Sequence, residues 1–152
     1  MYQSSIDFVR TPEEYADVHL SWARQDRAFF AAGACHILAY AFLHVHPNED
    51  YQLIYIRPLY DMPGTHMYVT KDNWAFDFNG WSHEDELLEV TRSSWTSMYP
   101  GWDFDRVIIS DNLETFCEKN NSRAPAFFPE SPWERALAYL DQFESTPPRI
   151  RI

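Results

Sequence analysis

The sequence predicts an α+β fold: N-terminal helices and a buried central helix packed on a small antiparallel sheet. Three observations carry this. Helical signals come first in the chain. Two of the strand candidates that follow are joined by a tight polar turn, as antiparallel neighbours are. Further helical segments then interleave with the last strand, without the regular strand–helix alternation of a parallel sheet. The length of 152 residues fits one domain spanning 1–152, and no repeat, low-complexity stretch or internal linker divides it.

The first helix is expected from about Pro12 to Ala31. Thr11 can cap it, Pro12 suits its first position, and Glu14 completes a capping box. Gly33-Ala34 interrupts the pattern. A second helix then runs from Cys35 to about Val45, ahead of Pro47, and is apolar on every side, so it should be buried on every side. Strands are expected at Gln52 to Arg57, Thr65 to Thr70 and Trp74 to Phe78, the last two forming a hairpin across Lys71-Asp72-Asn73. Ser82, with Asp85, reads as the cap of a helix to about Trp95. Arg106 to Ile109 is a fourth strand and Asn112 to Lys119 a short helix. Ser131 to about Phe143 is a final helix opening on a capping box, and the tail from Ser145, with Pro147-Pro148, is extended or frayed.

Composition restricts the function classes. The chain carries 12 basic and 23 acidic residues, a formal net charge of −11. Such a surface disfavours nucleic acid, whose phosphates need basic neighbours, and anionic membranes. It favours basic protein or peptide partners. No apolar run is long enough for a membrane span, and the first residues lack a signal-peptide pattern. Two cysteines are too few for a disulfide framework. A reducing cytosol is therefore the expected location, or export by a machine that reads no cleavable signal. Aromatics make up 17% of the chain, enough both to close a core and to line a groove.

The residues with chemistry to offer are Cys35, His66 and Asp77. Cys35 sits at the first turn of the buried helix, where the partial positive charge and free N–H groups favour a thiolate and can receive an oxyanion. In the hairpin, side chains alternate faces. Pairing the apolar sets (Met67 and Val69 with Trp74, Phe76 and Phe78) leaves His66 and Asp77 together on the opposite face. A two-residue loop at Lys71-Asp72 sets the two directly opposite; a four-residue loop makes them diagonal neighbours. Either brings a carboxylate within reach of an imidazole N–H, the orienting role in a triad.

A cysteine heading a buried helix, then a histidine and an aspartate on successive strands, resembles the papain-like superfamily in its broad sense. That superfamily includes papain-type proteases, transglutaminase-like enzymes and cell-wall peptidases of the NlpC type. The resemblance rests on Gly33-Ala34-Cys35-His36-Ile37-Leu38-Ala39, Gly64-Thr65-His66-Met67-Tyr68-Val69 and Trp74-Ala75-Phe76-Asp77-Phe78-Asn79-Gly80. It implies Cys35 as nucleophile, His66 as general base and Asp77 as the residue orienting it. Papain-type enzymes also place a glutamine oxyanion donor shortly before the cysteine. Here Phe29 stands where it would be and Gln25, the nearest glutamine, is expected on the first helix. The resemblance leaves proteolysis, deamidation and acyl transfer open.

Other features have plainer readings. His36 is expected to pack or hydrogen-bond, since it points about 100° away from Cys35 on a helix. Cys117 is a core residue. Trp95, Tyr99 and Trp102 around Pro100-Gly101 form a packed loop, with a substrate lip as the alternative. His44 and His46, at a helix end, lack the spacing of a metal site, and no cofactor or metal is expected. Two functions stand. One is a thiol hydrolase or acyltransferase acting on an amide or thioester, with a protein or peptide substrate, as in a small effector enzyme. The other is a non-catalytic acidic interaction protein, immunity- or inhibitor-like, binding a basic partner.

Overall fold

The computed structural model describes residues 1–47 and 50–148. Helices α1 (Pro12–Ala16), α2 (Val18–Trp22), α3 (Asp26–Ala31) and α4 (Cys35–Val45) come first. They are followed by strands β1 (Gln52–Pro58), β2 (His66–Lys71), β3 (Trp74–Asp77) and β4 (Gly80–His83). Helix α5 (Glu84–Met98), strand β5 (Phe104–Ile109), helix α6 (Leu113–Asn120) and helix α7 (Pro132–Leu140) complete the described order. The five strands form one antiparallel sheet in the order β4-β3-β2-β1-β5. The fold class is α+β.

The single first helix expected from Pro12 to Ala31 is instead three short ones. The Thr11 capping box forms as expected. At Asp17 the backbone turns extended and the carboxylate accepts the His19 N–H, so the side chain replaces a helical bond and starts a new helix. Gln25 is likewise extended, as the N-cap of α3.

Helix α4 has the expected bounds. Its Ala39 and Phe42 pack on one sheet face with Leu53, Met67, Val69 and Phe76. The other face carries Ile54, Ile56, Tyr68 and Ala75 and is covered by α5 through Leu87 and Trp95. The sheet is thus buried on both sides, which explains why Gln52 to Arg57 alternates so weakly. A third cluster joins α3, α4 and α7 through Phe29, Phe30, Leu38 and Tyr139.

Two sequence readings need correction. Ser82 caps no helix: it lies in β4 opposite Ala75, and α5 starts at Glu84 with His83 as an N-cap that makes no side-chain bond. The hairpin turn is Asp72-Asn73, both at positive φ (51° and 68°), closed by the Lys71–Trp74 pair. Two consecutive left-handed residues match the twist of the flanking strands, and Asp and Asn tolerate that conformation best after glycine. The register is therefore two residues from the one that sets His66 opposite Asp77, and the two are diagonal neighbours on one face. At the C-terminus, Ser131 caps α7 by accepting the Glu134 N–H, and the helix ends at Leu140 rather than near Phe143. The tail expected from Ser145 is described to Pro148; the rest lies outside the described residues.

Candidate active site

Three elements converge at one end of the sheet. Helix α4 supplies Cys35 as its first residue, and the preceding Ala34 offers no side-chain cap. The first N–H groups of this 11-residue helix are thus left for another acceptor. Strand β2 supplies His66 as its first residue and β3 supplies Asp77 as its last.

His66 and Asp77 are buried, at 1% and 4% exposure, so their pairing is shielded from water. The His66 Nε2–H donates to Asp77 Oδ2 at 2.9 Å. The same oxygen accepts the Tyr2 hydroxyl at 2.6 Å, and Oδ1 accepts the Asn79 backbone N–H at 2.9 Å. Three donors hold this carboxylate, so it is fixed in place and its oxygens are satisfied. Tyr2 is itself placed by its backbone N–H, which donates to Glu86 Oε1 at 2.6 Å in the first turn of α5. Its pKa is raised well above the usual range, by burial and then by the Asp77 charge, so it remains a donor.

With Nε2 engaged, His66 has only Nδ1 to offer. That nitrogen is buried and makes no hydrogen bond among the described residues. It belongs to the ring that couples to Cys35. Burial alone would push the Cys35 thiol up; interaction with His36 and His66 outweighs it and brings the pKa down to about 5. Burial alone would lower His66; the bond to Asp77 and interaction with Cys35 outweigh it and lift the pKa to about 10. The coupling of the two groups favours thiolate with imidazolium. Cys35 remains partly exposed and lines a cavity of about 620 Å³, together with Gly33, Tyr55, Thr65, Arg10 and Arg123.

Comparison with family models, curated proteins and solved structures finds no match for this chain. The site is therefore read from its own residues.

The structure brings together all three residues singled out in the sequence. Three further residues border them: Tyr2 and Arg10, which sequence reasoning missed, and His36. Tyr2 lies 75 positions from Asp77, and nothing local marks it. His36, read as a packing or hydrogen-bonding residue, does donate from Nε2 to the Arg123 carbonyl at 2.7 Å. It also borders Cys35. Burial opposes its charge, but contact with Cys117, then with Cys35, lifts its pKa to about 9. Arg10, the third, stands against Gly33: a Cβ there would meet its guanidinium at 3.2 Å.

Gln25 caps α3 at the surface and does not line the cavity, so it supplies no oxyanion donor there. Cys117 is buried, with its thiol directed to the Arg123 carbonyl at 3.7 Å. Trp95 and Trp102 stack at 5.9 Å, and the Trp102 indole N–H donates to the Pro63 carbonyl at 2.8 Å. The aromatic loop is packed, and it buttresses the turn that leads into His66. Among the described residues no group of three or more His, Cys, Asp or Glu side chains is arranged to hold a metal, and no helix is long and apolar enough to cross a membrane.

Proposed function

We propose that the protein is a papain-like thiol hydrolase or acyltransferase that acts on an amide or thioester of a protein or peptide. The observation that carries this reading is the buried Asp77–His66 pair. It leaves one ring nitrogen for a partly exposed cysteine at an uncapped helix N-terminus. The binding-partner alternative predicts an inert, buried thiol, and the cavity position of Cys35 weighs toward the enzyme.

In this reading the Cys35 thiolate attacks the carbonyl carbon. The carbonyl π electrons move to oxygen, and the free N–H groups of the first turn of α4 receive the oxyanion. The His66 imidazolium gives its Nδ1 proton to the departing amine as the carbon–nitrogen bond breaks, leaving a thioester on Cys35. His66, now neutral, takes a proton from water or an acceptor hydroxyl or amine as it attacks the thioester. The tetrahedral adduct then expels the thiolate. Asp77, bonded to Nε2, leaves Nδ1 as the nitrogen that exchanges protons and stabilises the imidazolium when it forms.

The test is alkylation of Cys35 by iodoacetamide against pH, in a Cys117→Ser background. The expected profile has its inflection near pH 5, following the lowered thiol. In His66→Ala the rate at pH 6 falls by roughly 100-fold, as the thiol moves back toward its ordinary range. A reaction that rises only above about pH 8, unchanged by His66→Ala, would sink the triad.

A further inference from the structure

The charge around the reacting thiol is opposite in sign to that of the whole molecule. Arg10 and Arg123 both line the Cys35 cavity. Carboxylates outnumber cations in this chain, 23 to 12, so cations readily find acidic partners. Arg24, Arg57, Arg92, Arg106, Arg135 and Lys119 each pair with one. Neither Arg10 nor Arg123 has a carboxylate at ion-pair distance among the described residues. Glu14, which feels the Arg10 charge, is already bonded to Arg24 at 3.3 Å.

Both guanidinium groups are nonetheless held. Arg10 stacks on the Tyr15 ring at 4.7 Å and lies against Gly33, two residues before the nucleophile. Arg123 stacks on Phe128 at 5.5 Å, and its carbonyl is anchored by His36. Stacking covers a guanidinium face and leaves the N–H edge to bond an oxyanion. Two such groups repel each other: burial, and then proximity to Arg123, lowers the Arg10 pKa. An anion between them removes that repulsion.

We propose that Arg10 and Arg123 form a carboxylate subsite in the Cys35 cavity, so that the substrate bears a carboxylate close to the bond that reacts. The inference rests on the thiol-enzyme reading and gives it a substrate class. It reverses the preference for basic segments that net charge alone suggests, because a ligand inside the cavity meets these two cations at short range and the surface acids only through water.

The experiment compares iodoacetate, which carries a carboxylate, with neutral iodoacetamide as alkylators of Cys35, again with Cys117→Ser. Their rate ratio cancels the thiolate fraction, so it reports the subsite, while the iodoacetamide rate alone reports the triad. The ratio is expected to fall by roughly three- to tenfold in Arg10→Gln and in Arg123→Gln, and to be largely kept in Arg10→Lys. A ratio unchanged in both glutamine variants overturns the subsite, even where fast iodoacetamide reaction upholds the triad. Should the thiol prove inert, the Nε–H resonances of both arginines in Cys35→Ser are followed by NMR as succinate is added. Saturable shifts of both uphold the subsite and no shift overturns it. Given a positive result, N-acetylglycine and N-acetylaspartate α-methylamide, whose side-chain carboxylate is free, serve as competitors of iodoacetate. The better protector tells a chain-terminal carboxylate from an acidic side chain.

Discussion

Asp77 shows how much of the candidate chemistry depends on one buried acceptor. Its three donors come from a strand, a turn and the second residue of the chain. Asp77→Asn keeps the size of the side chain but removes the charge that supports the imidazolium. The inflection of Cys35 alkylation should then move up from about 5 toward the ordinary thiol range. At pH 6 the rate should fall by roughly tenfold or more. Tyr2→Phe removes one donor and leaves the charge; it should cost about 1 kcal/mol of stability, read by urea unfolding, with a smaller upward move of the inflection. The three candidate residues were legible in the sequence because each carries a local signal: a glycine break before Cys35 and strand alternation around His66 and Asp77. Tyr2, Arg10 and Arg123 carry none. Only tertiary packing brings them to the site, and the aromatic and cationic residues elsewhere in the chain look no different.

At the scale of elements, the sequence was most readable where a backbone constraint marks the boundary. Helix α4 starts after Gly33-Ala34 and stops before Pro47, and the structure keeps both limits. Thr11 and Ser131 cap helices as their spacing indicates. The losses have physical causes. Asp17 bonds its own neighbouring backbone and breaks the first helix, a competition that the apolar pattern does not record. Strand β4 is four residues long, too short for alternation to register, and its Ser82 imitates a helix cap. The hairpin faces were read correctly while the register was left open between two alternatives, since a shift of two preserves which side each residue faces; the structure takes the diagonal one. The turn before β2 gives a test at this scale. Gly64 has φ +114°, and a Cβ there would meet Trp95 at 3.0 Å and Trp102 at 3.1 Å. Neither ring can withdraw, because the two stack and the Trp102 indole is bonded to Pro63. Gly64→Ala is expected to destabilise by about 1–3 kcal/mol through left-handed strain and overcrowding. It should also slow Cys35 alkylation at pH 6 by displacing His66. Thermal unfolding and the alkylation rate check the two effects separately.

For the whole molecule, average charge was legible and its distribution was not. A net −11 describes the surface, whereas the cavity beside Cys35 is lined by two arginines and bordered by two histidines that stay cationic. These buried charges tie the stability of the fold to pH. The Cys35 thiol is at about 5 folded and near 8.5 unfolded, so the unfolded chain binds one more proton between those values and stability rises with pH there. His66, at about 10 folded, and His36, at about 9, are both near 6.5 unfolded. Above about 6.5 the folded chain holds two protons that the unfolded chain has lost, against the single proton that Cys35 has released, and stability declines. The site's contribution should therefore climb from about pH 5, peak near pH 6.5, and be lost as the pH passes through 9 and then 10. Each unmatched proton corresponds to a slope of about 1.4 kcal/mol per pH unit. Urea unfolding of wild type and Cys35→Ala across pH 4.5 to 10, roughly the interval these groups span, isolates the effect, because the surface carboxylates titrate alike in both. The difference curve should rise from about pH 5 and fall again by about pH 10, with its maximum above 6.5, because His66 keeps its bond to Asp77 in the variant and that share cancels. A flat difference would mean that the thiolate and the imidazolium ions do not form in the folded protein, and the chemistry proposed for Cys35 would lose its physical basis.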